Sequence, residues 1–161
     1  MNRIIIFIAI VFSTLVSALP EDVNQPIEIE ADSVIVDEIS GFNEFLGDAE
    51  VRQGSLLITA ELIQVQTNSE GVETMIAKGT IEKPAKYTQS QENQARFIEA
   101  TADLITYDVN EGMVFLEGNA YLIQGFDSFS GDSLNYDINN DKVIVKGSED
   151  GTERVKFKIV L

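Results

Sequence analysis

From Pro26 onward, apolar residues recur at every second position. Ile27-Glu-Ile29-Glu-Ala31 opens the pattern, and Phe45, Ala49 and Val51 carry it across Gly47. It returns in Ile58 and Ala60, Ile63 and Val65, Ala85 and Tyr87, and Ile105, Tyr107 and Val109. It closes with Leu134, Tyr136 and Ile138, then Val143 and Val145, then Val155, Phe157 and Ile159. Period two with β-branched and aromatic residues marks a strand with one buried face. Met113 to Leu116 is apolar at consecutive positions, which predicts a strand covered on both faces. Asn68-Ser-Glu-Gly71, Asn110-Glu-Gly112, Asn139-Asn140 and Ser148-Glu-Asp-Gly151 are turn chemistry, since Gly and Asn tolerate positive φ. Turns this frequent, with no helical spacers, exclude a βαβ design. The pattern predicts an all-β chain of stacked short antiparallel strands, one domain over 26–161, with a flexible lead-in over 19–25.

A fourfold echo runs through the pattern. Ala31-Asp32, Ala60-Glu61, Ala102-Asp103 and Gly131-Asp132 each open a unit, and Gly47, Gly79, Gly118 and Gly147 each close one. The acid-to-glycine spacing is 15 residues in the first, third and fourth units and 18 in the second. Such a repeat predicts one strand pair stacked again and again. A polar loop over Gln89 to Gln94 is expected in the longer second part. An alternating face must be covered: closing it fully makes a sealed sandwich, and leaving one seam open makes a groove. Periodicity alone leaves both open.

The amino terminus adds a compartment. Asn2 and Arg3 precede an apolar run from Ile4 to Val16, and Val16-Ser17-Ala18 fits a small-x-small cleavage site. Residues 1–18 are expected to be a cleaved signal peptide, because the run is shorter than the roughly 20 apolar residues of a span. Retention of that segment would instead make an inner-membrane-anchored subunit. With 27 acidic and 11 basic residues, a net charge of −16, the chain is a poor match for nucleic acid. The acidity serves solubility.

Much chemistry is excluded. The chain has no His and no Cys, so Ser-His-Asp and Cys-His triads and the common zinc sites cannot form. No phosphate-cradling glycine motif appears, and no cofactor or metal is expected. Asp137-Ile-Asn139-Asn140-Asp141 begins like a calcium loop, but Lys142 stands where the sharp-turn Gly belongs and Ser148 where the bidentate Glu belongs. It reads as a hairpin turn. A carboxylate pair could hydrolyse glycans, yet the acids fall mostly on the polar phase. The cations gather in two groups. Lys78, Lys83, Lys86 and Arg96 could meet an anionic head group. Lys142, Lys146, Arg154, Lys156 and Lys158 mark the end, where lysine protects an edge strand.

Several blocks together carry a resemblance: Gln25-Pro26-Ile27-x-Ile29-Glu30, Phe45-x-Gly47, Val51-x-Gln53-Gly54, Ile58-x-Ala60, Lys83-Pro84-Ala85, Gly118-Asn119-Ala120-Tyr121-Leu122 and Gly131-Asp132. Over about Gln25 to Lys158 the chain resembles the OstA-like (LptA) family of periplasmic lipopolysaccharide-transport bridge proteins of Gram-negative bacteria. The resemblance implies a twisted β-jellyroll open along one side, sheltering lipid A acyl chains, and a non-enzymatic role in outer-membrane assembly. It implies that Ile27, Ile29, Val36, Tyr87 and Tyr107 face the interior; Phe45, Val51, Ile58 and Val109 complete the expected groove. It also implies head-to-tail stacking of copies, and pairing with related jellyroll domains of inner- and outer-membrane partners. The expected mating edges are Glu28, Ile29 and Glu30 at the start and Val155, Phe157 and Ile159 at the end. The strong acidity and the end at Leu161 depart from the family pattern.

The physics suits a passive conduit. At about 0.8 kcal/mol per methylene, a chain of roughly twelve carbons costs on the order of 9 kcal/mol to expose to water. A continuous apolar groove would make each step nearly isoenergetic. A structural β-solenoid with a closed core remains the rival reading.

Overall fold

Twelve strands make up most of the described residues, which are 21–91 and 96–160 of this computed structural model. In chain order they are β1 (Ile27–Glu30), β2 (Ser33–Asp37), β3 (Phe42–Gln53), β4 (Leu56–Asn68), β5 (Gly71–Lys78), β6 (Ala85–Gln91), β7 (Arg96–Ala102), β8 (Leu104–Asp108), β9 (Met113–Gln124), β10 (Asp127–Asp137), β11 (Lys142–Lys146) and β12 (Lys156–Lys158). Every pairing is antiparallel.

The four long strands, β3, β4, β9 and β10, each serve two sheets. The first half of β3 pairs with β2 and its second half with β1. β4 gives its start to β6 and its end to β5. β9 pairs first with β8 and then with β7, and β10 first with β12 and then with β11. One sheet therefore ranks β2, β3, β4, β5, β8, β9, β10 and β11. The other ranks β1, β3, β4, β6, β7, β9, β10 and β12. The chain is a β-jellyroll whose two sheets are joined along a line of corners.

The sequence echo is that line of corners. Each unit is one hairpin of the first sheet, with its acid at the entering corner and its glycine at the leaving corner. Asp32 N–H donates to the Gly47 carbonyl at 3.1 Å, and Asp103 N–H to the Gly118 carbonyl at 2.9 Å. Gly47 and Gly118 lie at φ +84° and +74°, and a Cβ on Gly47 would sit 2.5 Å from Asp32 Oδ2. The ladder slips at these corners, between Leu46 and Ala49 in β3 and between Gly131 and Ser133 in β10. Such bulges let a strand turn from one sheet into the next.

Side-chain size explains the wedge between the sheets. Next to the corners the facing pairs are Ala49 with Ala60, Ala85 with Ala102, and Ala120 with Gly131. Farther out come Phe45, Leu56, Met75, Tyr87, Tyr107, Leu122 and Tyr136, all buried. Small residues let the backbones converge at the corner, and large ones fill the space as the sheets diverge.

Three expectations change. The extra residues of the second unit lie in a longer β4–β5 hairpin, while Gln89 to Gln91 belong to β6 and are not loop; 92–95 fall outside the described residues. Residues 21–25 are tied down: Glu21–Asn24 form a turn of 3-10 helix, and the Asp22 carboxylate accepts from Ser55 N–H and Ser55 Oγ, both at 2.7 Å. Met113 and Phe115 are only half-buried, because no described element packs over the outer face of β9, whereas Val114 and Leu116 are buried. The signal peptide expected at 1–18 lies outside the described residues.

Candidate functional site

The interior is a continuous apolar column running from β1 and β2 at one end to β11 and β12 at the other. Cross-strand register fixes which side chains point into it, because directly paired residues share a face. Ile29 pairs with Val51, and Val51 with Ile58, which pairs in turn with Tyr87. Tyr107 pairs with Met75 and Val114. The Tyr87 and Tyr107 rings meet edge to face, with centroids 5.9 Å apart, so one contact links the two sheets through the middle.

The expected lining residues occupy the inward phase. Phe45, Val51, Ile58, Tyr87 and Tyr107 are buried in the middle ranks, and Ile27, Ile29 and Val109 pack partly buried against them. Val36 is on the inner face of β2, opposite Asn43, and is 60% exposed. Among the described residues nothing caps the column at either end. Val34, inward beside Phe45, is 50% exposed, and Phe157, stacked on Phe129 at 6.3 Å, is 63% exposed. The expected mating residues fall on outer ranks. Glu28, Ile29 and Glu30 are in β1, which pairs only with β3 among the described residues. Phe157 is in β12, which pairs only with β10, and Val155 and Ile159 flank it.

A polar rim sits where the strands reach farthest from the corners. Gln89, 2% exposed, accepts from the Tyr87 hydroxyl at 2.7 Å and donates to the Asp22 carboxylate at 2.9 Å. Gln53, also buried, donates to the Gln25 carbonyl at 3.1 Å. Burial pushes the Tyr87 phenol well above its ordinary value; burial raises Tyr107 too, and the nearby Asp22 carboxylate adds to it. At the other end, Gln124 and the Tyr136 hydroxyl both donate to the Asp141 carboxylate. Gln53 and Gln89 were readable as inward, since they share parity with Ala49 and Val51 and with Ala85 and Tyr87. Their polar identity concealed it. Nothing local marks Asp22, whose partners are 33 and 67 residues away.

The basic groups divide. Lys83 pairs with Asp48 at 2.8 Å and Lys86 with Glu99 at 3.1 Å, so both are engaged within the chain. Lys142, Lys146, Lys156 and Lys158 are exposed on the last ranks. The segment Asp137–Asp141 forms the β10–β11 turn, with Asn140 N–H donating to Asp137 Oδ1 at 3.0 Å.

Known proteins share this architecture. The lipopolysaccharide export system protein LptH of Pseudomonas aeruginosa is 30% identical over 142 residues, covering 88% of this chain and 79% of the relative. The export system protein LptA of Escherichia coli K12 is 30% identical over 149 residues, covering 88% and 78%. The crystal structure of P. aeruginosa LptH, described as the LptA-homologous periplasmic component of the lipopolysaccharide transport device, superposes with a TM-score of 0.79 at 28% identity, over 88% of this chain and all of that one. The family model matches residues 28–155, from within β1 to the residue before β12, and the chain belongs to the LptA/(LptD N-terminal domain) LPS transport protein family.

Proposed function

We propose that the chain is a non-enzymatic periplasmic carrier that shelters the acyl chains of lipopolysaccharide in its interior and passes them along a bridge from inner to outer membrane. The observation that carries this reading is the column that the described residues leave open at both ends. A self-contained sandwich or solenoid finishes with polar caps. Here Val34 and Val36 at one end and Phe157 at the other point inward and stay exposed. The outer edges of β1, β2, β11 and β12, which have no strand partner among the described residues, can accept strands from a neighbour, which would extend both sheets and the column together. Because the mating surfaces differ, such contacts run head to tail. The same edges suit a second copy or related jellyroll domains of membrane-bound partners. Residues 1–18 would act as a cleaved export signal.

The test is photocrosslinking in living cells from Ile29, Val36 and Tyr107. A glycolipid adduct is expected from all three. Absence of any adduct, with the protein folded and exported, would overturn the reading in favour of a closed structural solenoid.

A further inference from the structure

We infer that acyl chains reach the interior between Gln124 and Asp141, and that these two residues form a latch across the side of the jellyroll opposite its corners. The inference rests on the lipid-binding reading above. Gln124 is the last residue of β9 in the sheet that ends at β12, and Asp141 lies in the β10–β11 turn of the other sheet. The bond between them therefore spans the two sheets at the ends farthest from the corners. The Tyr136 hydroxyl donates to the same Asp141 oxygen at 3.4 Å from inside the wedge.

Mechanics selects this side. At the corners the sheets share four continuous strands, so separating them there would need broken backbone ladders. Opposite the corners, no backbone hydrogen bond joins the sheets among the described residues. Val114, Leu116, Leu122, Leu134 and Tyr136 behind the latch are each no more than 1% exposed. A close-packed interior admits a new chain only by parting its walls, and the walls can part only where side chains alone hold them. Phe126, at the tip of the adjoining β9–β10 hairpin, is 84% exposed and offers a first apolar contact beside the opening. The mouth between the two residues presents a carboxylate, an amide and a phenol. Those groups suit a head rich in hydroxyls, such as an acylated sugar, better than a bare phosphate, which Asp141 would repel.

The chain has no cysteine, so a Q124C/D141C pair can be bridged selectively by a short bis-thiosulfonate, which forms two reducible disulfides as sulfinate leaves. Loading of fluorescent lipid A from detergent is then followed before and after reduction, with circular dichroism confirming the fold. The bridged protein is expected to load at least ten-fold more slowly and to recover on reduction. Q124A alone is expected to load several-fold faster, and it decides the matter if the double variant misfolds. Equal loading by bridged and reduced protein, or no acceleration in Q124A, overturns the latch and leaves the carrier reading standing. Failure of the unaltered protein to take up lipid A overturns both.

Discussion

Single residues set the corners, and they do so by excluding atoms. Gly47 and Gly118 combine a left-handed φ with a facing Asp32 or Asp103 carboxylate where a Cβ would stand. Gly47→Ala and Gly118→Ala should each cost about 1–2 kcal/mol from the backbone alone, and more from the displaced aspartate, as read by urea unfolding. Gly151, also at positive φ but with open space around it, should lose only the backbone part. Asp22→Ala removes an acceptor for three donors and leaves buried Gln89 short of a partner; a loss of about 1–3 kcal/mol is expected. Tyr87 gives a pH signature. Its folded-state pKa is raised by burial above the unfolded value of 10.0. The folded state therefore holds the phenol proton more tightly, and stability is intact below pH 10.0 and falls as pH rises beyond it. Alkaline titration should show Tyr87 ionising together with unfolding, and Tyr87→Phe should shift that transition to higher pH. Tyrosinate absorbance and far-ultraviolet dichroism, followed together, check this.

At the scale of elements, alternation carried most of the fold. Parity alone places Ile27, Ile29, Phe45, Val51, Ile58, Tyr87 and Tyr107 on one face, and the acid-to-glycine spacing marks the hairpins. What parity could not convey is closure. Asp22 meets Ser55 and Gln89 only after the sheets have folded over, and no local pattern foretells a contact of that range. Gln89 resembles a loop position in sequence because a polar residue beside Ser90 and Gln91 looks solvent-facing until the strand's phase is followed through it. The outer ranks also carry opposite charge. Glu28 and Glu30 alternate with inward isoleucines on β1, and Lys156 and Lys158 flank inward Phe157 on β12. Cross-strand pairs of opposite sign contribute roughly 0.2–1 kcal/mol each. If copies stack end to end as proposed, K156E/K158E should weaken that association severalfold, and adding E28K/E30K should restore much of it. Sedimentation across a concentration series reads both, and a failure of the reversal to rescue would argue against β1–β12 pairing.

The whole molecule is governed by its charge and its length. At −16 the folded chain repels itself. Moderate salt should therefore raise the thermal midpoint, an effect that scanning calorimetry across ionic strength would detect. Length follows from the shared strands. With eight ranks in each sheet at about 4.8 Å apart, the first rank lies about 34 Å from the last. Because the same backbones build both walls, neither wall can be lengthened alone. In the proposed head-to-tail row the next copy adds one further spacing, so distance would be covered in whole steps of about 38 Å, and a gap that falls between two multiples would have to be taken up by the membrane-bound partners proposed at either end.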